Sequence, residues 1–206
     1  MPRGPRIPLN QAVGHLIFRG NNHLHICKDD EDFIALKNRL LRFLPFYKID
    51  VYHYGFMHTH LHLLAFIHDA VALAHSVKAW QISYFHYFKK KYGYDGHLWH
   101  GRYRGIPILE EVHFLQCGRY IEINPLEAGL VKDPKDYPWT SYHFYAEGAT
   151  DPLVTPNPQY LDWGSNPKER QEKYRKFIML DSIFDSNQSK SVKNPMERPL
   201  GFLTVV

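Results

Sequence analysis

The order of apolar and polar positions predicts seven regular elements between residues 12 and 124. Short runs of alternating polarity predict strands, and apolar residues that recur every three or four positions predict helices. The predicted strands are 12–20, 47–56, 59–67 and 103–110, and the predicted helices are 29–46, 70–92 and 110–124. The first six elements follow the order β-α-β-β-α-β of the split βαβ, ferredoxin-like layout. We therefore expect an α+β fold with an antiparallel sheet and an extra helix after the last strand.

Residues that are typical of helix ends support these boundaries. Acidic residues fill the first turn of the helix at 29–46, where the helix dipole favours negative charge, and Pro45 stops it. Asn124 followed by Pro125 predicts the end of the helix at 110–124.

A shift in composition near residue 146 predicts a boundary. Residues 1–146 would form the main domain, and residues 147–206 a C-terminal extension. A charged helix is predicted at 166–182, and the polar tail after it is expected to be mobile.

Composition narrows the class of protein only slightly. The formal charge of +4, from 25 basic and 21 acidic residues, fits a polyanionic partner without requiring one. Cys27 and Cys117 form no CxxC pair, which argues against a disulfide scaffold and favours a reducing compartment. No apolar run approaches the roughly 20 residues of a membrane span. We expect a cytoplasmic protein without a membrane partner.

Three histidines alternate in the segment GFMHTHLHLLAF, residues 55–66. If this segment is one strand, then His58, His60 and His62 share one face of the sheet. They could be hydrogen-bonded residues on a covered face. Metal binding is an equally good explanation, because neutral imidazoles are common ligands and alternate strand positions converge on one ion. Two histidines do not complete a site, so a third ligand is needed.

A second candidate group lies in GRYIEINPLEAGLV, residues 118–131. Tyr120 and Asn124 are four residues apart, so they lie on one face of the predicted helix. Taken singly, Tyr120 could be a core aromatic residue and Asn124 a helix terminator. Taken together, they offer a phenol and an amide oxygen, and the latter is a suitable ligand for Mg²⁺ or Mn²⁺.

The segments MHTHLHLL and RYIEINPLEAGLV, in this order, resemble the single-tyrosine HUH transposases of the IS200-like superfamily. The sequence is most similar to the REP-associated tyrosine transposases, and the resemblance covers roughly residues 5–146. It extends to three further segments: VGHLIFRGNN, GHLWHGRYRGIPI and DPKDYPWTSYHFY. The resemblance implies that residues 1–146 form an HUH nuclease domain.

The resemblance also implies a role for each candidate. His60 and His62 would bind Mg²⁺ or Mn²⁺, Asn124 would be the third metal ligand, and Tyr120 the nucleophile. The family usually has Pro-Asn before the first of these histidines, whereas this chain has His58 and Thr59. The role of His58 is therefore open, either as an additional metal ligand or as a DNA contact.

The implied activity is that of a metal-dependent transposase that cuts and rejoins single-stranded or hairpin DNA through a covalent 5′-phosphotyrosine. It would act at the nucleoid, as a monomer or as a homodimer. Two alternatives remain: a non-cleaving hairpin DNA-binding protein derived from a transposase, and a metal-dependent hydrolase in which Tyr120 is structural.

Basic residues beside aromatic ones are candidates for DNA contact, because single strands are bound through phosphates and stacked bases. The candidates are Arg19, Lys89, Lys90, Lys91, Arg102 and Arg104. For the three lysines, a solvated helix end is at least as good an explanation. Arg119 or Lys132 could supply a cation that lowers the pKa of the Tyr120 phenol.

Overall fold

The computed structural model describes residues 9–180, so the N-terminal arm up to residue 8 and the predicted mobile tail lie outside the described residues. The four strands are β1 (Ala12–Arg19), β2 (Ile49–Phe56), β3 (His60–Ile67) and β4 (Arg104–Ile108). The α-helices are α1 (Asp30–Phe43), α2 (Ala70–Tyr92), α3 (Glu111–Glu127), α4 (Tyr142–Glu147), α5 (Pro158–Leu161) and α6 (Pro167–Met179). Short 3₁₀ turns connect several of these elements.

The strands form one sheet in the order β2-β3-β1-β4, and all neighbouring strands are antiparallel. In this order β3 lies between β1 and β2, which is the arrangement that defines the split βαβ unit. The predicted α+β, ferredoxin-like fold is therefore confirmed.

One face of the sheet packs against α1 and α2. Alternate residues of the strands, among them Phe18, Leu61 and Leu63, belong to a core that includes Leu36 of α1 and Trp80 of α2. The Phe18 and Trp80 rings meet edge to face, with their centroids 5.0 Å apart. This face carries most of the apolar residues of the sheet, and its burial is the main source of stability.

The opposite face is covered by α3. A smaller apolar cluster joins Leu64 of β3 and Ile108 of β4 to residues Phe114, Cys117 and Ile121 of α3. This cluster holds α3 over the sheet, and Tyr120 of the same helix meets His15 of β1 and His62 of β3.

Two glycines bring α3 unusually close to β2. A Cβ atom on Gly55 would lie 2.8 Å from the backbone oxygen of Ile121, and one on Gly118 would lie 2.9 Å from the His53 ring. Real Cβ atoms do not approach other atoms so closely, so larger residues would push the helix off the sheet.

The predicted end of α3 at Asn124 is wrong, because the helix continues to Glu127. Pro125 lies inside the last turn and is buried. Proline lacks the N–H that would bond to Ile121, and that carbonyl is the one against which Gly55 lies. The last turn nevertheless closes, because the Ala128 N–H donates to the Asn124 carbonyl at 2.9 Å.

The predicted placement of His58 on the histidine strand is also wrong, because β3 begins at His60. The His58 carbonyl accepts from the backbone N–H groups of Ile26 at 2.7 Å and Cys27 at 3.1 Å. This segment is therefore bonded to the loop before α1, and the sheet register starts two residues later.

The described part of the C-terminal extension packs against the main core. Tyr174 and Ile178 of α6 are buried in the same cluster as the apolar sheet face. The Thr155 N–H donates to the Val51 carbonyl of β2 at 2.7 Å. The charged helix predicted at 166–182 corresponds to α6, which begins one residue later and ends three residues earlier than predicted.

A buried carboxylate joins these parts. Glu122 of α3 is fully buried and accepts from His53 Nδ1 of β2 at 2.9 Å, from the Ser141 hydroxyl at 2.5 Å and from the Tyr174 hydroxyl at 2.7 Å. We call these four residues the Glu122 network. It ties α3 to a strand, to the residue before α4 and to α6, so it fixes the position of the helix that carries Tyr120.

Candidate active site

Strand pairing places the two candidate ligands on the sheet face below α3. His60 pairs with Arg19 and His62 pairs with Ile17 of β1. Residues directly opposite each other in an antiparallel pair have side chains on the same face. His62 is only 2% exposed, whereas His60 is partly exposed. The histidines are adjacent on that face, with their ring centroids 4.9 Å apart.

Helix α3 places the other two candidates against these histidines. The Tyr120 ring meets the His62 ring edge-on, with the centroids 5.6 Å apart. The Asn124 side chain hydrogen-bonds to His60. The structure therefore brings together all four residues predicted to form the site: Tyr120, Asn124, His60 and His62.

A fifth residue of this cluster, His15 of β1, was missed from the sequence. Its Nε2 atom lies 2.8 Å from Nδ1 of His62, and its ring centroid lies 6.3 Å from that of Tyr120. The signal in the sequence was its alternation with Arg19 along AVGHLIFR, which puts both side chains on one face of β1. The register of β1 against β3, which brings His15 to His62, is not visible in the sequence.

Burial keeps these imidazoles neutral at physiological pH. It lowers the pKa of His15 to about 3, with further lowering from His113 and Arg104. It lowers the pKa of His60 to about 4, assisted by Arg19 and opposed by the hydrogen bond to Asn124. Burial, followed by the neighbouring His15 and His60, also places the pKa of His62 well below its ordinary value. Neutral imidazoles keep a lone pair that can bind a metal ion.

The donor set suits a divalent metal ion. His62 Nε2 is a buried nitrogen without a hydrogen-bond partner among the described residues. His60 and the Asn124 amide lie beside it, so two imidazoles and one amide could bind an ion such as Mg²⁺ or Mn²⁺. Within residues 9–180, no group of three or more His, Cys, Asp or Glu residues could hold a metal. An ion held by the three donors would complete its coordination with water or substrate.

A cavity of about 390 Å³ opens beside His60. Its lining residues are Arg19, Gly20, Asn22, His23, Thr59, His60 and His100. The cluster is therefore reachable from solvent on the His60 side, although His15 and His62 are buried.

The structure does not bring His58 to this cluster. The Nδ1 atom of His58 lies 2.8 Å from the Cys27 carbonyl, and its ring stacks on His25 with the centroids 5.5 Å apart. It also meets the Phe33 ring of α1 edge-on. These contacts place His58 in the packing between α1 and the start of β3.

The predicted DNA-contacting residues are divided between two regions. Arg19 lies opposite His60, and Arg104 of β4 pairs with Ile17, so both belong to the face that carries the site. Lys89, Lys90 and Lys91 lie in the last turn of α2, which packs on the other face of the sheet. Arg102 is exposed in the segment before β4, beside Trp99 and Tyr103.

Lys91 is engaged within the protein. Its Nζ atom lies 2.7 Å from Asp29 and 3.0 Å from Asp32, two acidic residues at the start of α1. Lys89 forms an ion pair with Asp95. Lys91 therefore joins the end of α2 to the start of α1, whereas Lys89 pairs with an exposed carboxylate just beyond the end of its own helix. Lys90 is exposed.

The two cations considered for activating Tyr120 differ in their surroundings. The Arg119 guanidinium donates to the backbone carbonyls of Ile178, at 3.0 Å, and Leu180. Arg119 thus caps the C-terminal end of α6. Lys132 is exposed after the end of α3. A third basic residue, Arg19, lies directly opposite His60 in the pairing of β1 with β3.

Comparisons with known proteins identify similar folds and a matching family. The chain is similar in fold to the structure of a REP-associated tyrosine transposase bound to a REP hairpin. The TM-score is 0.62 and the identity 15%, over 76% of this chain and 93% of that one. A suspected transposase from Deinococcus radiodurans R1 matches at 22% identity over 59% of this chain and 96% of that one, with a TM-score of 0.40. No curated protein matches the sequence.

No helix among residues 9–180 is long and apolar enough to cross a membrane.

The sequence profile described as "Transposase IS200 like" matches residues 9–124, which is more than half of the 206 residues and includes all five residues of the cluster. The chain therefore belongs to the IS200-like transposase family.

Proposed function

We propose that this protein is a divalent-metal-dependent endonuclease and strand transferase for single-stranded DNA, with hairpin DNA as substrate and Tyr120 as nucleophile. The observation that carries the proposal is the placement of Tyr120 and Asn124, one turn apart on α3, against His60 and His62 of β3. Membership of the IS200-like family and the fold shared with a hairpin-bound transposase support the choice of substrate. We expect the protein to act in the cytoplasm, at the nucleoid.

His60, His62 and the Asn124 amide would hold Mg²⁺ or Mn²⁺. Bound there, the ion would polarise a non-bridging oxygen of the scissile phosphate and neutralise part of its charge. Arg19, paired with His60 at the mouth of the cavity, would bind a neighbouring phosphate of the strand.

Tyr120 would perform the covalent step. Its hydroxyl oxygen attacks phosphorus, a Tyr–O–P bond forms, and the bond from phosphorus to the 3′ oxygen breaks. The phenol loses its proton to water or a nearby base, and the departing 3′ oxygen takes up a proton. The products are a 5′-phosphotyrosine and a free 3′-hydroxyl, and attack by that hydroxyl on the phosphotyrosine reverses the reaction.

The test is covalent trapping. Incubation with Mn²⁺ and labelled hairpin oligonucleotides should yield a protein–DNA adduct that survives denaturing electrophoresis. Tyr120→Phe should abolish the adduct while retaining oligonucleotide binding. Tyr52→Phe is the matched control, because Tyr52 is a partly buried tyrosine that contacts α3 through Phe114 with ring centroids 5.5 Å apart. It should form the adduct normally.

The other outcomes identify the alternatives. An adduct that persists undiminished in Tyr120→Phe rules out Tyr120 as the nucleophile. Cleavage without any adduct in the unaltered protein indicates a metal-dependent hydrolase, with Tyr120 structural. Binding without cleavage indicates a hairpin DNA-binding protein that has lost the reaction.

A further inference from the structure

His15 and His62 form a buried pair that joins the central strands of the sheet. His15 is 0% exposed and His62 is 2% exposed, and His15 Nε2 lies 2.8 Å from His62 Nδ1. The ring nitrogens on the far sides of the pair, His15 Nδ1 and His62 Nε2, have no hydrogen-bond partner among the described residues. The contact is therefore the only hydrogen bond of either ring within residues 9–180.

A contact of this length between two neutral imidazoles contains one shared proton, so it has two possible arrangements. In the first, His62 Nδ1–H donates to His15 Nε2, and His62 Nε2 bears a lone pair. In the second, His15 Nε2–H donates to His62 Nδ1, and His62 Nε2 bears a hydrogen. Only the first arrangement lets His62 bind a cation through Nε2. The partner of Nδ1 thus decides whether His62 can act as a metal ligand.

Metal-binding histidines usually donate their second N–H to a carboxylate, a backbone carbonyl or water. At His62 the partner of Nδ1 is instead an imidazole on the neighbouring strand. Both rings are buried, so water cannot take the place of this partner. If His62 binds a cation through Nε2, its hydrogen must lie on Nδ1, and His15 Nε2 is then the acceptor.

We propose that His15 is a positioning residue that holds His62 in the Nδ1–H tautomer, with the Nε2 lone pair free for the divalent cation. The inference rests on the proposed function, because it assumes that His62 is a metal ligand. It assigns a role to a residue that makes no contact with the ion.

The first test examines the metal-free protein. Long-range ¹H–¹⁵N correlation spectra of the ¹⁵N-histidine-labelled chain report which ring nitrogen of His62 carries hydrogen. We expect hydrogen on Nδ1. Hydrogen on Nε2 would overturn the proposal, and this measurement on the unaltered protein stands even if a variant fails to fold.

The second test compares substitutions of His15. His15→Gln can keep the acceptor, because the glutamine amide reaches about as far from the backbone as Nε2 of histidine. His15→Leu removes it. We expect His15→Leu to weaken Mn²⁺ affinity about 10–100-fold, which is the usual effect of losing such a partner, and His15→Gln to stay close to the unaltered protein. Electron paramagnetic resonance of free Mn²⁺ measures the affinity without DNA or cleavage.

The control is His68→Asn. His68 lies just after β3, and its Nε2 atom is 2.8 Å from Asp50, which is not a proposed metal ligand. The Mn²⁺ affinity of this variant should be unchanged. Equal weakening in His15→Leu and His15→Gln would show that only ring packing matters, and unchanged affinity in His15→Leu would show that the contact is irrelevant. Either result overturns the proposal.

The same titration separates this inference from the proposed function. If the unaltered protein binds Mn²⁺ no better than His62→Ala, the proposed metal site is wrong and the role of His15 is lost with it. If the unaltered protein binds Mn²⁺ through His62 but the His15 variants behave like it, the proposed function stands and only this inference fails.

Discussion

Helix α3 carries polar residues on two sides, and their surroundings differ. On one side, the Glu122 carboxylate is fully buried and accepts three hydrogen bonds from β2, the residue before α4 and α6. On the other side, Tyr120 and Asn124 meet a cluster in which His62 Nε2 and His15 Nδ1 have no partner among the described residues. Buried polar atoms are normally hydrogen-bonded, so unpartnered ones indicate a ligand-binding site or local strain. The first side holds the helix in place, and the second is the side for which we propose metal binding and reaction with DNA.

The Glu122 network should account for most of the stability that polar groups contribute on α3. Glu122→Ala leaves His53, Ser141 and Tyr174 without their acceptor, so we expect the free energy of unfolding to fall by about 3–5 kcal/mol. Urea denaturation followed by circular dichroism measures the change. Gln116→Ala, an exposed position on the same helix, is the control and should change stability by no more than about 0.5 kcal/mol. A loss of less than about 1 kcal/mol from Glu122→Ala would contradict this assignment.

The histidine cluster should make the free energy of unfolding depend on pH in the acid range. His15 and His60 have pKa values lowered to about 3 and about 4, so the unfolded chain binds more protons than the folded one below about pH 6.5. Stability from these groups is complete above that pH and is lost as pH falls towards their folded values, by up to about 1.4 kcal/mol per pH unit for each histidine. The difference in unfolding free energy between the unaltered protein and His15→Gln should therefore shrink between pH 6.5 and 4. A difference independent of pH would show that His15 titrates normally.

Removing a single hydroxyl from the Glu122 network should have a moderate effect. Tyr174→Phe keeps the ring that stacks on Tyr145, with centroids 5.1 Å apart, but loses the hydrogen bond to Glu122. We expect a loss of about 1–2 kcal/mol in thermal or urea unfolding, since one donor to a buried carboxylate disappears. A result equal to that of Glu122→Ala would mean that the network depends on Tyr174 alone.

Substitutions of the proposed metal ligands should change stability least and adduct formation most. His60→Ala and Asn124→Ala remove partly exposed side chains, so unfolding should change by less than about 1 kcal/mol while adduct formation is abolished. His58→Ala should show the reverse, with a stability loss of about 1 kcal/mol from its contacts with Cys27 and Phe33 and normal adduct formation. Equal loss of adduct in His58→Ala would make His58 part of the site after all.

Each error in the sequence prediction has a physical cause in the structure. Helix α3 passes through Pro125 because a buried last turn tolerates a missing N–H where β2 approaches the freed carbonyl at Gly55. His58 leaves the strand because its backbone carbonyl bonds to the loop before α1. The ion pairs of Lys91 with Asp29 and Asp32 at the start of α1 are likewise not visible in the sequence pattern. Each case depends on contacts between residues distant in the chain.

By itself, the sequence determined the periodicities, and with them the α+β fold and the order of elements. These follow from local rules, because alternation sets the face of a strand and spacing of four sets the face of a helix. The resemblance of two segments to the HUH transposases singled out His60, His62, Tyr120 and Asn124. Only the tertiary structure decided the contact between His15 and His62, the separation of His58 from the cluster and the burial of Glu122. Strand register and helix packing create those contacts, and both are set by the global packing of the core, which no local pattern encodes.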